Sequence, residues 1–258
     1  MAETKEGEQY HIRLKRGDVG KYVLLTGDPG RVPKIASFFE NARHVATNRE
    51  YTTYTGEIDG IKVSSTSTGI GCPSAAICME ELARVGADTF IRIGTAGSLQ
   101  KHVKVGDLVI LTATVREDGT SRQYVPLSYP AVADFEVTLA LKQAAEKLGY
   151  RYHIGIGHTK DAFYTEEAEG LPLEREIMEE WETWRKANVL CTSMESSALF
   201  TIGSIRGLKI GTVLACIGTT RKGKLAINTG TGAVIEKAAK VGVEAVRILK
   251  RGPGQLGR

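Results

Sequence analysis

The sequence predicts an α/β fold on two observations. Short apolar runs of strand length recur along the 258 residues, and segments of helical periodicity lie between them. A hydrophobic content of 42% suffices for one substantial core, and no linker or internal repeat divides the chain, so a single domain over 1–258 is expected. In chain order, strands are expected at Tyr22 to Leu25, Ile61 to Thr66, Phe90 to Ile93, Leu108 to Leu111, His153 to Ile156, Val189 to Cys191 and Ile210 to Ile217. Helices are expected from Val32, then along Ala75, Cys78, Leu82 and Val85, and along Val137, Leu141, Ala144 and Leu148. Further helices are expected over Glu174 to Lys186, over Ser197 to Ile205, and along Val234, Ala238, Val241, Ala245 and Ile248. The polar stretch Tyr164 to Pro172 reads equally as a lid and as a surface loop. Residues 1–9 and the glycine-rich tail 251–258 are expected to fray.

A net charge of +4, with basic and acidic residues interspersed, argues against a nucleic-acid partner. No apolar run is long enough to span a bilayer, and Met1 to Glu6 lack the apolar core of a signal peptide, so a cytoplasmic protein without a membrane partner is expected. Cys72, Cys78, Cys191 and Cys216 form no metal-ligand or disulfide pattern and read as small core residues, with a nucleophilic Cys72 as the alternative.

Three arginines beside glycine-rich turns suggest an anion clamp. Gly27-Asp28-Pro29-Gly30-Arg31 follows a strand and opens a helix, where backbone amides and a guanidinium can hold phosphate, although the same residues also make an ordinary turn. Arg92 interrupts the buried run Thr89 to Gly94 and needs an anion or a carboxylate such as Glu50 or Glu80. Arg49 fits either the clamp or a solvated strand edge. Gly69-Ile70-Gly71 and Gly94-Thr95-Ala96-Gly97-Ser98 follow strands but lack the remaining features of a dinucleotide fingerprint. In Ser193-Met194-Glu195-Ser196, the carboxylate can accept from vicinal hydroxyls and the methionine can wall a sugar face; a helix-capping acid is the alternative.

These segments, with Asn48-Arg49-Glu50-Tyr51, Phe135 after Pro130 to Asp134, and Asp161-Ala162-Phe163-Tyr164, resemble the nucleoside phosphorylases of the hexameric type, and within them the uridine phosphorylase branch. The resemblance runs from about Tyr10 to about Lys250. It implies a three-layer α/β fold with a central mixed, twisted sheet, assembled as a homohexamer. It also implies attack of inorganic phosphate on C1′ of a ribonucleoside, giving free base and ribose 1-phosphate with no cofactor.

By the same resemblance Gly27, Arg31, Arg49, Arg92 and Thr95 hold phosphate, with Arg31, Arg92 and Glu195 the catalytic set. Met194 and Glu195 hold ribose, with His11 lent by a neighbouring subunit to the 5′-hydroxyl. Phe163 resembles the aromatic that packs on the base or sugar, and Glu50, Ile70 and Ser74 match positions that hold a monovalent cation, potassium, between subunits in some uridine phosphorylases. Gly97, Glu167, Thr219 and Arg221 are the other candidate base-binding residues, Arg221 standing one residue away from the arginine of that branch.

The base end departs from the branch. Where uridine phosphorylases carry a glutamine and an arginine after the Phe-Tyr pair, this chain has Thr165-Glu166-Glu167-Ala168-Glu169. A carboxylate cannot donate to a carbonyl oxygen and opposes charge on a departing uracil. Either Thr219, Thr220, Arg221 or Lys222 supplies donors, or the base carries amino groups. Uridine is therefore expected first and a purine nucleoside second. A nucleoside hydrolase and a non-catalytic nucleoside-binding relative are the rivals.

Overall fold

The computed structural model describes residues 7–221, 224–227 and 232–251, with backbone alone at 221, 224 and 225. The strands are β1 (Tyr22–Thr26), β2 (Glu40–Asn48), β3 (Tyr51–Ile58), β4 (Ile61–Ser67), β5 (Thr89–Ser98), β6 (Leu108–Glu117), β7 (Ala131–Val132), β8 (Tyr152–Lys160), β9 (Cys191–Ser193), β10 (Lys209–Arg221) and β11 (Lys224–Ile227). The helices are α1 (Val32–Ala36), α2 (Cys72–Arg84), α3 (Gly119–Tyr124), α4 (Phe135–Lys147), α5 (Glu174–Lys186), α6 (Ser196–Arg206) and α7 (Gly232–Lys250).

Side-chain alternation divides the core into two layers. Val23 and Leu25 of β1, Phe90 of β5 and Leu214 of β10 pack with Met79 and Leu82 of α2 and Leu199 and Phe200 of α6. Their neighbours Leu24, Ile91, Ile93 and Val213 face Val137 and Leu141 of α4 and Val241 and Val246 of α7. Helices therefore cover both faces of a mixed sheet, as expected. Parallel pairs β4–β1–β5–β10 form its centre. From β5 the pairing runs through β9, β8, β6 and β10, and β10 returns to β5, closing that half into a ring of five strands.

Three features differ from expectation. β2 and β3 form a hairpin that the apolar-run criterion misses, because β2 is largely exposed and β3 is rich in threonine and tyrosine. Gly94 to Ser98 continue β5 instead of forming a turn, since each pairs with β10 across a bulge between Cys216 and Gly218. Gln9 belongs to the fold: it is buried and exchanges backbone hydrogen bonds with Leu14 and Arg13.

Candidate active site

A cavity of about 840 Å³ opens where β1, β4, β5, β9 and β10 end together, a volume suited to a small molecule. At one end lies the turn after β1. Asp28 accepts from the Gly30 amide at 2.8 Å and lies 3.6 Å from the Arg31 guanidinium. A single 3₁₀ turn (Pro29–Arg31) and then the five residues of α1 follow, so the turn's own amides and Arg31, not a long helix dipole, give this end its positive character. Burial lowers the Arg31 pKa, opposed by Asp28 and reinforced by the nearby charge of Arg92.

Arg92 is 3% exposed and on β5 faces the α6 side, together with Phe90. Its Nη2 pairs with Glu195, while Nε and Nη1 are buried without a hydrogen-bond partner among the described residues. The carboxylate partner is thus Glu195, not Glu50 or Glu80. Glu80 instead pairs with Arg206, and Glu50 accepts from Ser74 at 2.7 Å. A Cβ at position 94 would lie 2.9 Å from Arg92 Nη2 and 2.7 Å from Leu214, so any larger residue there displaces the guanidinium. At Gly69 both φ (+68°) and the closeness of Glu50 and Ser74 exclude a side chain.

Glu195 precedes α6 but does not cap it. Its carboxylate accepts from the amides of Gly71 (3.1 Å) and Met194 (3.2 Å) and pairs with Arg92, which holds it against the cavity beside Met194. Three of its four acceptor positions are thus taken, and the one left on Oε1 is open to a hydroxyl donor.

The opposite end contains a lysine. Lys160, 4% exposed at the end of β8, donates to Glu166 (2.6 Å) and Thr192 (3.0 Å) and lies 5.8 Å from the Phe163 ring centre. Glu166, 3% exposed, also accepts from Thr220. The backbone that carries Glu166 is a 3₁₀ turn (Phe163–Glu166), braced by the Trp181 indole donating to the Thr165 carbonyl at 3.1 Å.

Behind Lys160, Thr192 meets His158 Nδ1 at 3.1 Å, and His158 Nε2 contacts Glu117. Burial, aided by the charge of Lys160, pushes His158 down to about 3 and keeps it neutral. The hydrogen bond with Glu117 raises Glu180 from the ordinary 4.5 to about 7, so this pair retains a proton in weak acid. A raised carboxyl pKa favours the folded state below the ordinary value and loses that contribution as pH climbs toward 7. His158 has the opposite sign, its depressed value costing stability below its ordinary 6.5. Comparing wild type with Glu180→Gln isolates the carboxyl, since His158 is common to both. The substitution is expected to raise the thermal midpoint by about 2–4 °C at pH 8 and by little at pH 4.5, an exposed pair being worth up to about 1 kcal/mol. Equal midpoint changes at both pH values would count against a shared proton.

The geometry joins a cationic end, a fixed carboxylate and a polar end lined by an aromatic ring. A family-wide sequence profile described as the phosphorylase superfamily matches residues 21–251. The chain belongs to the phosphorylase superfamily. Among its relatives, a uridine phosphorylase of Thermococcus kodakarensis is 49% identical over 256 residues, covering 96% of this chain and 88% of the relative. A uridine phosphorylase of Treponema pallidum is 45% identical, covering 93% and 94%. A guanosine phosphorylase of Halorubrum lacusprofundi is 38% identical, covering 93% and 96%.

Within this superfamily member the cavity wall includes Gly27, Arg31, Arg92, Thr95, Gly97, Phe163, Met194 and Glu195, together with Glu50, Ile70 and Ser74. His11 and Arg49 stand outside it. His11 is bound to Glu81 at 2.7 Å, and Arg49, exposed at the β2–β3 turn with φ 54°, lies over Tyr10 at 5.9 Å. At the Phe163 end of the cavity Glu166 points inward while Glu167, the residue that the sequence reading named, is exposed; of the two threonines named, Thr220 bonds the inward carboxylate. Arg221 has only its backbone described, and Lys222 lies outside the described residues. Cys72 is fully buried with its thiol pKa raised by burial, which removes it as a nucleophile. Sequence reasoning missed Lys160, because a charged residue just beyond the apolar run of β8 gives no periodic signal. Its nearness to Asp161-Ala162-Phe163-Tyr164 is the available clue.

Proposed function

We propose that this protein is a uridine phosphorylase, cleaving uridine with phosphate to uracil and ribose 1-phosphate. The observation that carries the reading is Arg92: a buried guanidinium at the cavity wall with one donor on Glu195 and two donors unpartnered among the described residues. A phosphate oxygen can accept from a spare donor of this guanidinium, and burial makes such a contact strong. Arg31, the Gly27 turn and Thr95 complete the phosphate site. Glu195 accepts from a ribose hydroxyl and Met194 lies against the sugar. A phosphate oxygen forms the new bond to C1′, the bond from C1′ to the base nitrogen breaks with its electron pair going to the base, and the base takes up a proton. The arginines hold the nucleophile in place and remain attractive as positive charge grows on the sugar.

His11 and Arg49 enter this reading through a second copy. They share one surface, since the Asn48 amide donates to the His11 carbonyl at 2.7 Å, and Glu50, next to Arg49, lies on the cavity wall. That arrangement supports a site completed by a neighbouring copy, and the resemblance to hexameric phosphorylases extends it to a homohexamer. Glu50 and Ser74 supply paired oxygen donors of the type a hard cation prefers, which fits a structural potassium ion shared between copies. Four buried free cysteines suit the reducing cytoplasm. The test incubates the pure protein with uridine, cytidine, guanosine and adenosine, with and without phosphate, and identifies products. Uridine consumed only with phosphate is expected; base release without phosphate indicates a hydrolase.

A further inference from the structure

The base end of this chain is built from different groups than its acidic loop suggests. Resting on the phosphorylase reading above, we propose that Lys160 carries the negative charge of the departing base and that Lys160 and Glu166 together select bases with an oxo group beside a ring N–H. The ammonium has three donors. Two go to Glu166 (2.6 Å) and Thr192 (3.0 Å), and among the described residues no acceptor takes the third. Lys160 lines the cavity beside Phe163, the aromatic wall, so that remaining donor belongs to the ligand.

Glu166 has complementary capacity. One oxygen accepts from Lys160 and the other from Thr220, and each keeps a lone pair. The pair is neutral overall, which removes the objection that an acidic loop repels a departing anion. A donor and an acceptor side by side match uracil, with an oxo group next to N3–H, and equally guanine, with O6 next to N1–H. They mismatch cytosine, whose N3 presents a lone pair to the carboxylate. In the register that sets the ring nitrogen against Glu166, adenine presents an amino group to Lys160 and a lone pair to the carboxylate, and mismatches both partners.

When the bond to C1′ breaks, its electron pair enters the ring and spreads onto the oxo oxygen, where the Lys160 N–H meets it; water then supplies the proton to the ring. The ammonium is held in place from behind. Thr192 is bonded to neutral His158, whose other nitrogen meets Glu117, itself in contact with Glu180. His158 is thus a positioning residue, and its neutrality keeps a second cation away from Lys160.

The test measures phosphate-dependent kcat/KM of the full chain for uridine, 5-fluorouridine, 3-methyluridine and cytidine. Wild type is expected to prefer uridine to 3-methyluridine and cytidine by about a hundredfold or more, since a buried acceptor is left unpaired or opposed. Lys160→Met is expected to lower the uridine value about 100- to 1000-fold, as loss of a charge-stabilising donor does. For 5-fluorouridine, whose fluorine already stabilises the departing ring, the loss should be at least tenfold smaller. A merely structural lysine would reduce both nucleosides alike. Because Lys160→Met leaves Glu166 buried and unpaired, the double variant Lys160→Met/Glu166→Gln removes both charges together, and the same narrowing between the two nucleosides is expected in it. Equal losses for uridine and 5-fluorouridine, or wild-type cleavage of cytidine at the rate of uridine, would overturn the proposal while leaving phosphorolysis intact. Wild type inert toward all four nucleosides with phosphate would overturn the functional reading and the proposal together.

Discussion

Arg92→Ala is expected to lower kcat/KM for phosphorolysis by about a thousandfold or more, the upper range for removal of a positioned charge-stabilising donor. The size follows from burial: at 3% exposure no solvent replaces the lost donors, and Arg31, the other arginine on the cavity wall among the described residues, is only half-buried. The same change leaves Glu195 buried and unpaired, a cost of about 3–5 kcal/mol in stability. Activity must therefore be read on protein shown to be folded. Phosphate supplies that second measurement. Wild type should gain thermal stability as phosphate is added, because the ligand binds only the folded state, and the variant should gain much less. Arg92→Ala with unchanged turnover, or with an unchanged phosphate response, would remove Arg92 from the site.

The second large effect is expected at Glu195. Glu195→Gln keeps the side chain's shape but weakens acceptance from the ribose and from three neighbouring donors. Loss of hydrogen bonds to a charged group, worth about 1.5–3 kcal/mol, predicts a fall of about 10- to 100-fold on uridine. On 2′-deoxyuridine, which lacks one hydroxyl, the fall should be smaller. Phosphate affinity without nucleoside should move the other way. In the structure Glu195 occupies one guanidinium nitrogen of Arg92, so a neutral amide competes less with the incoming anion. Equal losses on the riboside and deoxyriboside, measured by steady-state kinetics, would argue against hydroxyl recognition.

The central strands and most helices were legible because burial on both faces writes long apolar runs and clear helical spacing, as in Val23 to Leu25 and along α7. The β2–β3 hairpin was not, since an exposed polar strand carries no such signal. At the site, Arg92 announced itself as a charge inside an apolar run, and Glu195 through its place between strand and helix. What no spacing could reveal was which acid each cation would meet. Arg92 finds its carboxylate 103 positions away, and Glu166 and Thr220 meet across 54. The inward choice between Glu166 and Glu167 depends on a single turn of 3₁₀ helix, a register too short for periodicity to resolve.

Because Arg92 and Gly97 stand on the same strand, β5 acts as a ruler between the two ends of the cavity. The Arg92 head lies beside Gly94, so about three residues of extended chain, roughly 10 Å, part it from Gly97, and pairing with β10 on one side and with β1 and β9 on the other leaves that length no freedom to stretch. The spacing between the cavity's two ends is thereby set by hydrogen-bonded backbone and not by the rotamers of the side chains that line it.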